Sequence, residues 1–165
     1  MSDPHVRYDS GLVGAWRGEC AVEVFGKPSG GRLNVLRAGA FRALAHSRGP
    51  LHMETTLSLD GPKVRHTTAL FKWGLSVFNS RETISLHADG RHFVLHGEQV
   101  FGPRPLGAQP FEAKGSVDED GLGAIYFIPW FGETLEQRTK ILPEGLELVQ
   151  LTPWSKLSVV LKRRR

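Results

Sequence analysis

The sequence predicts an all-β fold, a single antiparallel up-and-down β-barrel of about eight to ten strands with one short helix. Three observations carry that prediction. Apolar and polar residues alternate with period two through most of the chain. Turn signals rich in Gly, Pro and Asp recur at hairpin-sized intervals. Strand–helix–strand alternation, internal repeats and low-complexity segments are all absent from the sequence. Up-and-down hairpins that close on themselves leave no exposed sheet edge.

The elements follow in order. From Gly14 to Phe25 one face reads Trp16, Gly18, Cys20, Val22 and Val24, and the other reads Arg17, Glu19, Ala21 and Glu23. That is the pattern of a half-buried antiparallel strand. Gly26, Pro28, Gly30 and Gly31 break it. Arg32 to His46 carries Leu33, Leu36, Ala40, Phe41 and Leu44 at helical rather than strand spacing. Its alanines favour a helix and Gly39 opposes one by ~1 kcal/mol. The segment reads as a short helix that serves as a lid, closed by Gly49-Pro50. Strands then resume at Leu51 to Leu59, up to the turn Asp60-Gly61-Pro62. Val64 to Phe78 reads as one long strand bent at Gly74, followed by Arg81 to His87. Asp89-Gly90 suits a type I′ hairpin turn leading into Arg91 to Phe101. After a loop from Pro103 to Pro110 come Phe111 to Val117, Leu122 to Pro129, Glu133 to Ile141 and Leu146 to Leu151. The last strand points Leu157, Val159 and Leu161 inward.

Composition bounds the function. The 165 residues fit one domain, residues 1–165, since domains commonly run ~100–200 residues. The net charge of +4 comes largely from the terminal run Lys162, Arg163, Arg164 and Arg165, which reads as a solvated strand end. The basic patches lack the interleaved aromatic residues of a single-strand binding surface, so nucleic acid is not an expected partner. One cysteine, Cys20, leaves no intrachain disulfide. The polar N-terminus does not resemble a signal peptide. No stretch approaches the ~20 apolar residues of a membrane span. A cytoplasmic monomer or homodimer is expected. Dinucleotide fingerprint, phosphate loop and nucleophile elbow are missing, which argues against nucleotide-dependent chemistry and triad hydrolysis.

Three glutamines stand in the apolar phase of the predicted strands: Gln99, Gln137 and Gln150. In Glu133 to Ile141, Leu135, Gln137, Thr139 and Ile141 share one face while Thr134, Glu136, Arg138 and Lys140 share the other, so Gln137 points inward. A buried amide without partners costs ~1–3 kcal/mol. Glutamine donates and accepts, and so suits a ketone, amide or hydroxyl of a ligand; the alternative is that the three bond to buried water or to one another. Tyr126, in phase with Ala124 and Ile128, adds an inward hydroxyl. Glu82 is in phase with Ile84 and Leu86, and His66 with Val64 and Leu70. Glu82, His66 and Tyr126 are therefore the candidate acids and bases if the protein is an enzyme. His92 and His96 face outward and lack the companions of a metal site. Cys20 reads as an inert core thiol. Trp73, Trp130 and Trp154 lie beside Gly or Pro turns, where they cap barrel ends or a pocket mouth.

The opening Gly14-x-Trp16-x-Gly18 resembles the calycin superfamily, and within it small bacterial lipocalin-like domains and nitrobindin-like barrels. The resemblance implies that Trp16 closes one barrel end under a basic residue of the last strand, Arg163 or Lys162. The Thr-Asp-Tyr signature of true lipocalins is missing, as is the Arg-x-Tyr pair of fatty-acid-binding proteins. Nitrobindins hold haem through a late histidine, but this chain has none after His96. No cofactor and no metal are therefore expected.

The leading expectation is a binding module for a small, mostly hydrophobic molecule. Gln99, Gln137, Gln150 and Tyr126 would orient it, and Trp16, Phe93 and Leu135 would supply apolar wall. A cyclase or isomerase acting on a polyketide- or terpenoid-type substrate is the alternative, and a haem-binding barrel a weaker one.

Overall fold

The computed structural model describes residues 12–102, 108–117, 121–128 and 133–165, with the backbone alone for 121–128. Ten strands form one closed antiparallel barrel. They are β1 (Gly14–Val24), β2 (Leu51–Asp60), β3 (Lys63–Lys72), β4 (Leu75–Leu86), β5 (His92–Phe101), β6 (Gln109–Val117), β7 (Gly121–Ile128), β8 (Glu133–Leu142), β9 (Gly145–Leu151) and β10 (Ser155–Arg163). Each strand pairs with its neighbour in sequence, and β10 returns to β1. The helix α1 spans Arg32–His46, the range its apolar spacing predicts.

The region from Val64 to His87 corrects one expectation. Val64 to Phe78 is not a single bent strand: Trp73 and Gly74 form a tight reversal between β3 and β4. Their φ angles of 52° and 77° match the positive values that a two-residue type I′ hairpin needs at both central positions. A tryptophan is a poor sequence signal for that role. It is held there because its indole Nε1 donates to the Arg48 carbonyl at 2.7 Å. From Leu75 the chain then runs unbroken to Leu86, through a register shift opposite Leu70 and Phe71.

The two ends of the barrel differ. At one end the interior is filled by Trp16, Leu57, Val64, Ile84, Phe93, Leu95, Leu146 and Leu161, all 5% exposed or less. The Arg163 guanidinium lies over the Trp16 ring at 4.6 Å and donates to the Val13 carbonyl at 3.1 Å. The Trp16 indole donates to the Leu12 carbonyl at 3.0 Å. The Gly-x-Trp-x-Gly opening has a physical reason at Gly18: a Cβ there would sit 2.3 Å from the Val160 carbonyl oxygen, so only glycine lets β10 approach. At the other end α1 lies across the barrel. It buries only Ala38 completely, and Phe41 and Leu44 lean on the core. Leu33 and Leu36 remain 59% and 70% exposed.

Candidate functional site

Alternation on four adjacent strands brings a band of polar side chains inside the barrel. Thr55 of β2 pairs with Thr68 of β3, Thr68 with Ser80 of β4, and Ser80 with Gln99 of β5. One rung along, His66 pairs with Glu82. Directly opposite residues of antiparallel strands project to the same face, and all six side chains are buried.

Five of the six form one hydrogen-bonded chain. His66 Nδ1 lies 2.8 Å from Glu82 Oε2, and Ser80 Oγ donates to Glu82 Oε1 at 3.0 Å. On its other side His66 Nε2 lies 2.6 Å from Thr55 Oγ1 and 3.1 Å from Thr68 Oγ1. Both ring nitrogens and both carboxylate oxygens are thereby engaged within the wall. A buried polar network is tolerable when every member is satisfied, and this part of it is.

Gln99 is the exception. It is 3% exposed, and its Oε1 has no hydrogen-bond partner among the described residues. An unmet buried acceptor costs ~1–3 kcal/mol. Gln99 lies at the floor of a cavity of about 70 Å³ at the α1 end of the barrel. Leu70, Phe78 and Phe101 form one wall of it. Leu135, Gln150 and Leu157 form the other, and Thr152, Trp154 and Ser155 edge it where β9 turns into β10. Phe41 of α1 roofs it, its ring 6.3 Å from that of Phe101.

The β9–β10 turn is built rather than loose. Thr152 Oγ1 accepts from the Ser155 N–H at 2.9 Å and the Trp154 N–H at 3.3 Å. The Trp154 carbonyl accepts the N–H groups of Phe25 and Gly26. This seats Trp154 at the cavity with 2% exposure.

Polar ties flank the roof. Before α1, the backbone N–H and hydroxyl of Ser29 donate to Glu133 Oε1 at 2.5 and 2.7 Å. After α1, the fully buried Lys72 donates through Nζ to the Ser47 carbonyl at 3.1 Å and to the Gly49 carbonyl. Lys72 continues the inward phase of Val64, His66, Thr68 and Leu70, the signal by which the sequence marks it. The same phase on β2 and β4 marks Thr55 and Ser80. Glu133 and the roofing role of Phe41 have no such signal, because each depends on where α1 lands.

The sequence-predicted residues are distributed as follows. Gln99, Gln150 and Leu135 line the cavity. Gln137 accepts a hydrogen bond from Gln150 Nε2 at 2.7 Å, so two of the three glutamines are bonded to each other. Trp16 and Phe93 lie in the packed end, away from the cavity lining. Glu82 and His66 meet each other below it. Tyr126 pairs through its backbone with Ala113 and Leu135; its side chain lies outside the described residues, as do Trp130 and the Pro103 to Gly107 part of the predicted loop. Trp73 is 63% exposed in its turn.

His92 and His96 are on the outside, beside Asp89 at 2.7 Å and Glu112 at 3.5 Å. The His92 side chain and the N–H groups of Arg91 and His92 hold the Asp89 carboxyl well below the usual carboxylate range. No cluster of three or more potential metal-ligating side chains occurs among the described residues. Burial, helped by Glu19, pushes the Cys20 thiol up to about 12.

No protein-family model matches the sequence, and no curated protein matches it. Solved structures do resemble the fold. A secretory abundant heat soluble protein from Ramazzottius varieornatus superposes with a TM-score of 0.58 at 12% identity, over 93% of this chain and 95% of that one. The fatty acid transporter REP1-NXSQ superposes with a TM-score of 0.53 at 11% identity, over 93% and 96%. At such identities the likeness is one of architecture, the lipocalin-like, calycin-like β-barrel. No helix among the described residues is long and apolar enough to cross a membrane.

Proposed function

We propose that the protein binds a small, mostly hydrophobic molecule in the cavity beneath α1. The observation that carries this reading is the Gln99 oxygen, buried without a partner among the described residues at the floor of an otherwise largely apolar cavity. Ligand pockets commonly combine apolar walls with a few placed polar groups, and Gln99 and Gln150 have that relation to Leu70, Leu135 and Leu157. The fatty acid transporter that shares the fold makes a hydrophobic cargo a natural class.

The cavity of about 70 Å³ is well below the ~300–1,000 Å³ of typical ligand pockets. Binding therefore requires α1 to lift. The helix suits that movement, because Phe41 and Leu44 are only partly buried and the ties at Ser29 and Ser47 hold the chain just outside its two ends.

The hydrogen bonds of His66 and Glu82 favour a wall role over acid–base chemistry. A catalytic proton carrier must reach the substrate, and these groups spend their polar atoms on each other, Ser80, Thr55 and Thr68. The same engagement leaves His66 without a nitrogen for haem iron.

The test is fluorescence titration with N-phenyl-1-naphthylamine, a neutral apolar probe. Saturable binding is expected for the wild type. It should be retained in Val160→Arg, on the outer face of β10, and lost in Leu135→Arg, inside the cavity. Equal binding by the two variants would refute the site.

A further inference from the structure

We infer that the cavity selects an uncharged ligand whose polar end carries a hydroxyl donor, an alcohol, and discriminates against an ionised carboxylate. The inference rests on the proposed cavity and names the ligand class it takes.

The charge inventory around the site is the first argument. Among the described residues the polar side chains lining the cavity are Gln99, Gln150, Thr152, Trp154 and Ser155, all neutral. Among the described residues the buried cation at this end is Lys72, and its ammonium is already committed to the Ser47 and Gly49 carbonyls behind the roof. The nearest ionisable group to Gln99 along the polar band is an acid, Glu82, reached through Ser80. A carboxylate carried into this cavity would lose its hydration and meet no positive charge among the described residues that line it. Burying an ion without a partner is among the costliest things a site can do.

The identity of the unmet atom is the second argument. Gln99 presents an acceptor, Oε1, and the Ser80 hydroxyl beside it already donates to Glu82. An alcohol O–H satisfies an acceptor; an ester or a carboxylate oxygen cannot. A site built to hydrogen-bond a hydroxyl rejects the analogue lacking it, because its own polar group is then left unpaired. Across the cavity Gln150 Nε2 already donates to Gln137 Oε1, and Gln99 Oε1 is the fully buried acceptor left to read the head group.

The experiment is an NMR titration of the ¹⁵N-labelled full chain at pH 8 with octan-1-ol, methyl octanoate and octanoate, reading the Gln99 side-chain amide and the backbone of the lining residues. Octan-1-ol is expected to bind at least about tenfold more tightly than octanoate, with methyl octanoate in between, and to move the Gln99 amide signals. Gln99→Leu is expected to bring the alcohol and the ester to parity. Octanoate binding as well as octan-1-ol would overturn the inference while leaving the cavity standing. Parity of ester and alcohol in the wild type would overturn the role of the Gln99 oxygen. If none of the three binds and N-phenyl-1-naphthylamine fails as well, both the inference and the cavity reading fall.

Discussion

The two ends of this barrel are made from the same strands by the same alternation, yet one is filled and the other is hollow. At the filled end, Leu146 and Leu161 are 0% exposed, and Arg163 seals Trp16 from outside. At the hollow end, inward positions go to Gln99, Gln150 and Ser155, and the closure is a helix that buries one alanine completely. Between them lies the satisfied network of His66, Glu82, Ser80, Thr55 and Thr68. Period-two patterning decides which residues face in, and the choice of residues at each level decides whether that interior is core or site.

The sharpest way to break this contrast is to remove volume from each end. Leu161→Ala is expected to destabilise by ~2–5 kcal/mol in urea unfolding, the cost of a cavity in a close-packed core. Leu157→Ala, which enlarges a space already present, should fall at or below the bottom of that range. Equal losses would mean that the ends are packed alike.

The middle layer comes next. Glu82→Gln removes an acceptor from His66 or Ser80 and should cost ~1–3 kcal/mol without changing probe binding. A loss of binding with stability intact would instead place Glu82 in the site. At the roof, Lys72→Met leaves the Ser47 and Gly49 carbonyls short of a donor. It is expected to cost a similar ~1–3 kcal/mol and to raise hydrogen exchange across α1 relative to β10.

Two smaller effects concern the filled end and its neighbour. Arg163→Ala should cost only ~0.5–1 kcal/mol, because the guanidinium is exposed above Trp16. Cys20 should resist alkylation by iodoacetamide at pH 8 in the folded state and react on unfolding, since the thiolate is the nucleophile and burial holds the thiol protonated toward pH 12. Folding favours the neutral thiol, so that contribution is present below about pH 9 and is lost as the pH climbs toward 12.

Much of this architecture is legible in the sequence, because burial enforces alternation. Trp16, Phe93, Leu95, Leu157, Val159 and Leu161 declare the inward face, and the apolar spacing of Arg32 to His46 declares the helix. The Trp73-Gly74 turn was not legible. The tryptophan adopts its positive φ with the support of Arg48, a residue distant in sequence. The inward phase of Gln99, Gln137 and Gln150 is legible too, but their different fates are not. Gln137 and Gln150 are cross-strand partners and hydrogen-bond to one another, whereas Gln99 stands between Ser80, whose hydroxyl is already committed, and Gln109. Phase gives the face, and only register gives the partner. The sequence also offers Trp154 for a pocket mouth and Arg32 to His46 for a lid, but that Phe41 is the lid residue at the cavity depends on how distant segments meet.

The most direct test of the central claim is methyl NMR on leucine-labelled protein titrated with octan-1-ol. The methyls of Leu70, Leu135 and Leu157 should shift along one saturable curve while those of Leu146 and Leu161 stay fixed. Shifts of equal size at both ends, or none at Leu135 and Leu157 at saturating alcohol, would contradict it.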